Sequence, residues 1–148
     1  MKIAIACDHG GFPLKNLVID VIKTAGHTSI DLGTDSLDSV DFPDFARKIG
    51  DAINSGAAER AVFICGSGAG ANIAANKITG LYASVCHDVY SAHQAVEHDD
   101  MNVLCLGARI VGAALAEELV NAFLGATYWN SGNYARRVQK VHALEMNG

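Results

Sequence analysis

Five short apolar runs rich in β-branched residues alternate along this chain with stretches whose apolar positions recur at i, i+3, i+4 and i+7. That alternation predicts a three-layer α/β/α sandwich built on a five-stranded parallel sheet, with helices on both faces. The 148 residues, half of them apolar and 18% charged, suit one domain spanning 1–148 that buries roughly two thirds of its unfolded surface without disulfides. Repeats, low-complexity tracts and linkers are absent from the sequence.

Lys2 to Cys7 reads as a buried strand running into Asp8-His9-Gly10-Gly11. From Pro13 a helix follows, with Leu14, Leu17, Val18, Val21, Ile22 and Ala25 as its stripe and Gly26 closing it. His27 to Leu32 is the second strand. Asp41-Phe42-Pro43-Asp44 opens a helix striped by Phe45, Ile49, Ala52 and Ile53, which Gly56 ends. Ala61 to Ile64 is the third strand, and a helix begins near Ala71 and runs toward Lys77. Leu81 to Cys86 is the fourth strand, ending in His87-Asp88 before a helix from Tyr90 to about His98. Asn102 to Leu106 is the fifth, followed by Gly107 and Arg109. Gly112 precedes an Ala/Leu-rich helix to about Leu124. A last helix from about 131 carries Arg136, Arg137 and Lys140 and is a candidate for packing on a partner subunit.

A net charge of −5 and the lack of clustered Lys and Arg argue against a nucleic-acid surface. No apolar run approaches the ~20 residues needed to span a bilayer. Cys7, Cys65, Cys86 and Cys105 occur singly, without C-x-x-C or metal-ligand spacing, which suits a reducing compartment. The N-terminus enters a strand directly, so no signal peptide and a cytoplasmic address are expected.

Parallel strands place their carboxyl ends on one side, so Asp8, His9, Cys65, Ser67, His87, Asp88, Gly107 and Arg109 are expected to converge on one crevice. The third strand delivers Cys65 into a loop with Gly66, Gly68 and Gly70, where bare backbone can aim several N–H groups into one small space. A thiol beside such donors and a helix start is placed for proton chemistry. The bland alternative makes Cys65 a small buried hydrophobe at a sharp turn. A dinucleotide site is a weak match: Gly66 to Ala71 satisfies G-x-G-x-x-A, but the following helix is short and the chain has no room for a substrate domain. A cysteine phosphatase would need an Arg in the loop, and position 71 is Ala. Proton transfer on a sugar meets no such obstacle. Cys65 can act as base, the Gly66–Gly70 amides can cradle an enediolate, a His can open the ring, and His9 with Arg109 or Arg137 can clamp an anion.

Taken together, CDHGG, DFPDFA, ICGSGAG, NIAANK, CHDVYSA, EH followed by MNVLCLGAR, and ARRV resemble, over nearly the whole chain, the family of type B ribose-5-phosphate isomerases and their galactose 6-phosphate and allose 6-phosphate relatives. The resemblance implies a Rossmann-like fold, catalysis through a cis-enediol without metal or other cofactor, and a homodimer, or a dimer of dimers, with active sites built across the interface. By position, Cys65 resembles the base that moves a proton between C1 and C2, and Ser67 the hydroxyl that assists between the two oxygens. His98 resembles the ring-opening acid/base, with Asp8 close by. His9, Arg109 and Arg137 match residues that bind phosphate or sugar oxygens, and Gly66, Gly68, Ala69, Gly70 and Asp99 complete the expected substrate contacts. Ala71 rather than Glu marks the Cys subtype.

Three positions depart from that pattern. Phe42 stands where a Tyr is usual, Asp99 where an Asn is usual, and Asn133 where a phosphate-binding Arg is usual. The substrate expected first is ribose 5-phosphate. An allose 6-phosphate, a tetrose phosphate, a free sugar, or a non-catalytic sugar-phosphate sensor are the alternatives. His27, His93 and His142 are expected to be structural or solvated, Asp88 to serve as a helix cap as readily as a site residue, and Cys7, Cys86 and Cys105 to be packing residues.

Overall fold

The computed structural model describes residues 1–147. Within them the chain forms β1 (Lys2–Cys7), α1 (Phe12–Thr24), β2 (Thr28–Asp31), α2 (Phe42–Asn54), β3 (Arg60–Cys65), α3 (Ala69–Ala75), β4 (Ala83–Val85), α4 (Val89–Asp99), β5 (Val103–Gly107), α5 (Ala113–Gly125) and α6 (Gly132–Asn147). The five strands are all parallel, in the order β2-β1-β3-β5-β4. The sequence pattern leaves that order open, whereas the three-layer sandwich it predicts is what forms.

β1, β3 and β5 lie inside the sheet with both faces covered, which is why they read as unbroken apolar runs rather than alternating ones. Val62, Ile64, Leu104 and Leu106 point into a core shared with α1, α4 and α5. Ala61, Phe63, Cys65, Val103 and Cys105 point the other way, against Phe45, Ala46 and Ile49 of α2 and Ala71 and Ala75 of α3. No helix among the described residues is long and apolar enough to cross a membrane.

β4 is shorter than the predicted strand: Tyr82 O still accepts from Asn102 N (3.0 Å) and Val103 N (3.2 Å), but on its other side the segment bonds to the Asn102 side chain. Asn102 Oδ1 accepts from Tyr82 N at 2.8 Å and Asn102 Nδ2 donates to Gly80 O at 2.9 Å. The same segment anchors α6. Glu145 accepts from Gly80 N (2.9 Å) and from Tyr82 Oη (2.6 Å), while His142 stacks on Tyr82 with centroids 4.8 Å apart. The last helix is therefore fastened to its own chain, yet Val141, Leu144 and Met146 on it stay exposed.

Candidate active site

The carboxyl ends of β1, β3 and β5 frame a crevice of about 390 Å³ lined by Asp8, Phe42, Cys65, Gly66, Ser67, Gly70, Arg109 and Ile110. Cys65 is 5% exposed, and what it exposes opens on this crevice. The loop after it turns back so that the Gly68 amide donates to Cys65 Sγ at 3.1 Å. Gly68 holds φ +84, and a Cβ there would lie 3.1 Å from the Leu106 carbonyl carbon, so conformation and space both call for glycine. β5 closes the loop from the other side: Ala108 N donates to Cys65 O (2.9 Å) and Arg109 N to Gly66 O (3.0 Å). A Cβ on Gly107 would sit 2.6 Å from the Ser67 carbonyl. The rim is thus set by backbone meeting backbone.

Side chains finish this half. Asp8 is buried, with Oδ1 accepting from Gly11 N at 3.0 Å. Ser67 Oγ accepts from Ala69 N at 3.2 Å. The Arg109 guanidinium lies over Gly66, and the Phe42 ring packs on Gly70. His9 accepts from Val40 N through Nδ1 (3.2 Å), which leaves its Nε2 as the protonated nitrogen of the neutral ring, although His9 does not line the crevice itself. His87 Nε2 accepts from Gly107 N at 3.0 Å, and burial holds its pKa below the ordinary range. Asp88 turns away to cap α4, accepting from Ser91 N at 2.7 Å, and this bond holds its carboxyl below the usual range. The expectation that it joins the crevice gives way to the helix cap.

His98, Asp99 and Arg137 are elsewhere. α4 leaves the carboxyl edge of the sheet after β4 and returns to the amino edge before β5, so its last turn lies a strand length from the crevice, roughly 16 Å for a five-residue strand. His98, in that last turn, packs against Trp129 (4.8 Å between centroids) and Tyr134 of α6 (4.5 Å, stacked), and its Nδ1 lies 2.8 Å from Gln94 Nε2. Asp99 lines a separate groove with Gln94, Ser84 and Tyr82, and Arg137 is exposed on α6. Within one chain, then, Asp8 and His98 are not close. They stand at opposite edges of the sheet.

Comparison with known proteins decides the family. The sequence model described as Ribose/Galactose Isomerase matches residues 3–141. The chain belongs to the ribose/galactose isomerase family. It is 42% identical to ribose-5-phosphate isomerase B of Escherichia coli over 97% of this chain and 96% of that one. It is 37% identical to D-erythrulose-4-phosphate isomerase of Pectobacterium atrosepticum, over 98% and 95%. The solved structure of ribose-5-phosphate isomerase B from Clostridium thermocellum superposes with a TM-score of 0.95 at 44% identity, covering 99% of each chain. The chain is accordingly an aldose–ketose isomerase, and the dinucleotide and phosphatase readings fall away.

The crevice gathers Asp8, Cys65, Ser67 and Arg109 with Gly66 and Gly70, while His9, His87 and Gly107 stay behind its lining, and Gly68 and Ala69 supply hydrogen bonds within the loop. Ile110, Gln94, Trp129 and Tyr134 carry no weight in the sequence reading. Gln94 was findable, since i to i+4 spacing on a helix sets it against His98. Trp129 follows no periodic pattern and is placed by its N–H donating to Glu97 O at 2.8 Å.

Proposed function

We propose that this isomerase interconverts an aldose phosphate and its ketose, with Cys65 as the base and ribose 5-phosphate as the first substrate to test. One observation carries the reading: the sulfur on which the Gly68 amide is trained opens on a crevice that also holds a buried carboxylate, a hydroxyl and an exposed guanidinium. In the ring-opening step the anomeric hydroxyl gives its proton to Asp8 while the bond from C1 to the ring oxygen breaks. The electron pair left on that oxygen takes a proton from His98. Cys65 then removes the proton from C2 and delivers it to C1, the Gly66–Gly70 amides face the enediolate, and Ser67 carries the proton between the two oxygens. His9, Arg109 and Arg137 hold the phosphate.

Because one chain keeps Cys65 and His98 at opposite edges, the complete site draws its second half from another copy. The exposed apolar residues of α6 and the groove holding Asp99 support a homodimer arranged in this way. Mixing Cys65→Ala with His98→Asn subunits tests it. Each parent is inactive on ribose 5-phosphate, and random exchange restores about a quarter of wild-type activity, since half the dimers hold one intact site of two. No recovery after demonstrated exchange refutes the shared site.

Substrate choice follows from the side chains. Phe42 lines the crevice without a hydroxyl, and Asn133 offers a neutral amide where the family resemblance expects a cation. Steady-state kinetics with ribose 5-phosphate, allose 6-phosphate, erythrose 4-phosphate and free ribose rank the candidates. A specificity constant for ribose 5-phosphate well above the rest establishes it as the substrate.

A further inference from the structure

The ladder between β4 and β5 stops short of the crevice. Val103 N donates to Tyr82 O at 3.2 Å, so the amides of Val103, Cys105 and Gly107, at alternate positions, face the β4 side. Strand pairing ends with Val85 against Cys105, and continuing that register sets residue 87 opposite residue 107. There the ring of His87 takes the place of the ladder, its Nε2 accepting from Gly107 N at 3.0 Å. The amide it holds belongs to crowded backbone. A Cβ on Gly107 would lie 2.6 Å from the Ser67 carbonyl, and the next two residues donate to Cys65 O (Ala108 N, 2.9 Å) and Gly66 O (Arg109 N, 3.0 Å). His87 therefore touches the frame of the thiol loop without lining the crevice.

From this bond we infer that His87 is a positioning residue for proton transfer at Cys65, its neutral ring holding the end of β5 against the thiol loop. The inference rests on the reading of Cys65 as the base. With Nε2 as acceptor, the neutral ring carries its proton on Nδ1. Protonation turns Nε2 into a donor facing another donor, and the Gly107 amide has to move. Because Gly107 packs on the Ser67 carbonyl with no room to spare, that movement passes to the loop that presents Cys65. Burial lowers the pKa of His87, and no neighbouring charge contributes. Of the titratable groups on adjoining segments, Asp88 is bound to Ser91 N and His93 to Glu97, the Cys86 and Cys105 thiols are kept neutral by burial, and Arg109 lies over Gly66.

Two amide replacements separate the bond from the residue. Gln carries its oxygen where Nε2 lies and can accept from Gly107 N, whereas the Asn oxygen stops one bond short, at the level of Nδ1. At pH 7.5, His87→Gln is expected to keep kcat on ribose 5-phosphate within about threefold of wild type. His87→Asn is expected to lose on the order of tenfold, with solvent-proton exchange at C2 falling in step. Between pH 7.5 and 5.5 the wild type, whose ring takes up a proton, should lose about twofold more activity than His87→Gln. Cys65 and His98 are common to both enzymes, so that difference belongs to residue 87. It also decides the matter if His87→Asn does not fold. Equal losses in the Gln and Asn variants, wild-type exchange in His87→Asn, or the same acid limb in wild type and His87→Gln overturns the proposal. Exchange at C2 persisting in Cys65→Ala instead removes the reading of Cys65 as the base, and this proposal with it.

Discussion

The Cys65 crevice and the His98 cluster, the two halves of the proposed site, are made of different material. Around Cys65 the decisive contacts are made by main chain: the Gly68 amide on the sulfur, Arg109 N and Ala108 N on the loop carbonyls, and Gly107 against the Ser67 carbonyl. Around His98 they are side chain against side chain, with Gln94, Trp129 and Tyr134 supplying every contact described. A backbone-built cradle tolerates no added atoms but is indifferent to most sequence change elsewhere. A side-chain cluster can be rebuilt one residue at a time without disturbing the fold. In the proposed reading, transfer of the proton between carbons falls to the backbone-built half and ring opening to the side-chain cluster.

The sharpest test of this contrast is chemical. Cys65→Ala removes the proposed base yet leaves the Gly68 loop free to keep its carbonyl bonds. The expected outcome is a loss of kcat on the order of 10³-fold with a thermal midpoint close to wild type. Solvent-proton exchange at C2 of ribose 5-phosphate should vanish with turnover. Exchange persisting in the variant assigns the base to another group.

Next in size is a change that disturbs the cradle without touching any reactive group. Gly107→Ala places a methyl 2.6 Å from the Ser67 carbonyl, where the opposing atoms are backbone and cannot swing aside. A destabilisation of about 1–3 kcal/mol is expected by urea denaturation, together with lost activity, because the loop must shift. The corresponding insult in the other half, Tyr134→Phe, keeps the ring and should leave both quantities near wild type. Equal damage from both would erase the distinction drawn above.

A smaller effect is expected where α6 is pinned. Tyr82→Phe removes the 2.6 Å bond to Glu145 while Gly80 N still holds that carboxylate, so a loss of about 1 kcal/mol is expected. Burial, with the Glu145 carboxylate adding to it, pushes the Tyr82 hydroxyl up to about 12. Its folded pKa lies above the ordinary value of 10, so the stabilisation is complete below about pH 10 and fades as pH rises toward 12. Urea midpoints of wild type and Tyr82→Phe should converge over that range. A constant gap removes Tyr82 as the titrating group.

Much of this was legible in the sequence because it rests on period and punctuation. β1, α1, α2, α4 and α5 fall within two residues of where their apolar stripes place them, and the motif around Cys65 could be read directly because glycine at 66, 68 and 70 has few other uses. The sequence pattern extends β4 over Leu81 to Cys86, whereas only Ala83–Val85 pair as a strand, because apolar residues flanking a ladder look in sequence like those within it. Strand order was beyond reach, as parallel crossovers of similar length permit several orders. The separation of His98 from Asp8 follows from helix direction once the sheet is known, but motif order along the chain contains no trace of it.

The smallest effect concerns His87, which joins β4 to the rim of the rigid half. Its Nε2 must be unprotonated to accept from Gly107 N, and burial holds its pKa below the ordinary 6.5. As pH falls below 6.5 the unfolded chain takes up a proton that the folded chain resists, so the contribution of His87 is full above that pH and is lost progressively below it. His27, lowered mainly by burial and then by the charged N-terminus, acts in the same direction, so wild type alone cannot isolate His87. Comparison with His87→Gln does, because that amide oxygen can accept the same N–H without titrating at these pH values. Urea midpoints should fall less for the variant than for wild type between pH 7.5 and 5.5, by an amount bounded by one hydrogen bond, about 1 kcal/mol. Identical pH dependence would mean that the bond to Gly107 survives protonation through a shift of the rim, and the backbone half would then be softer than its contacts suggest.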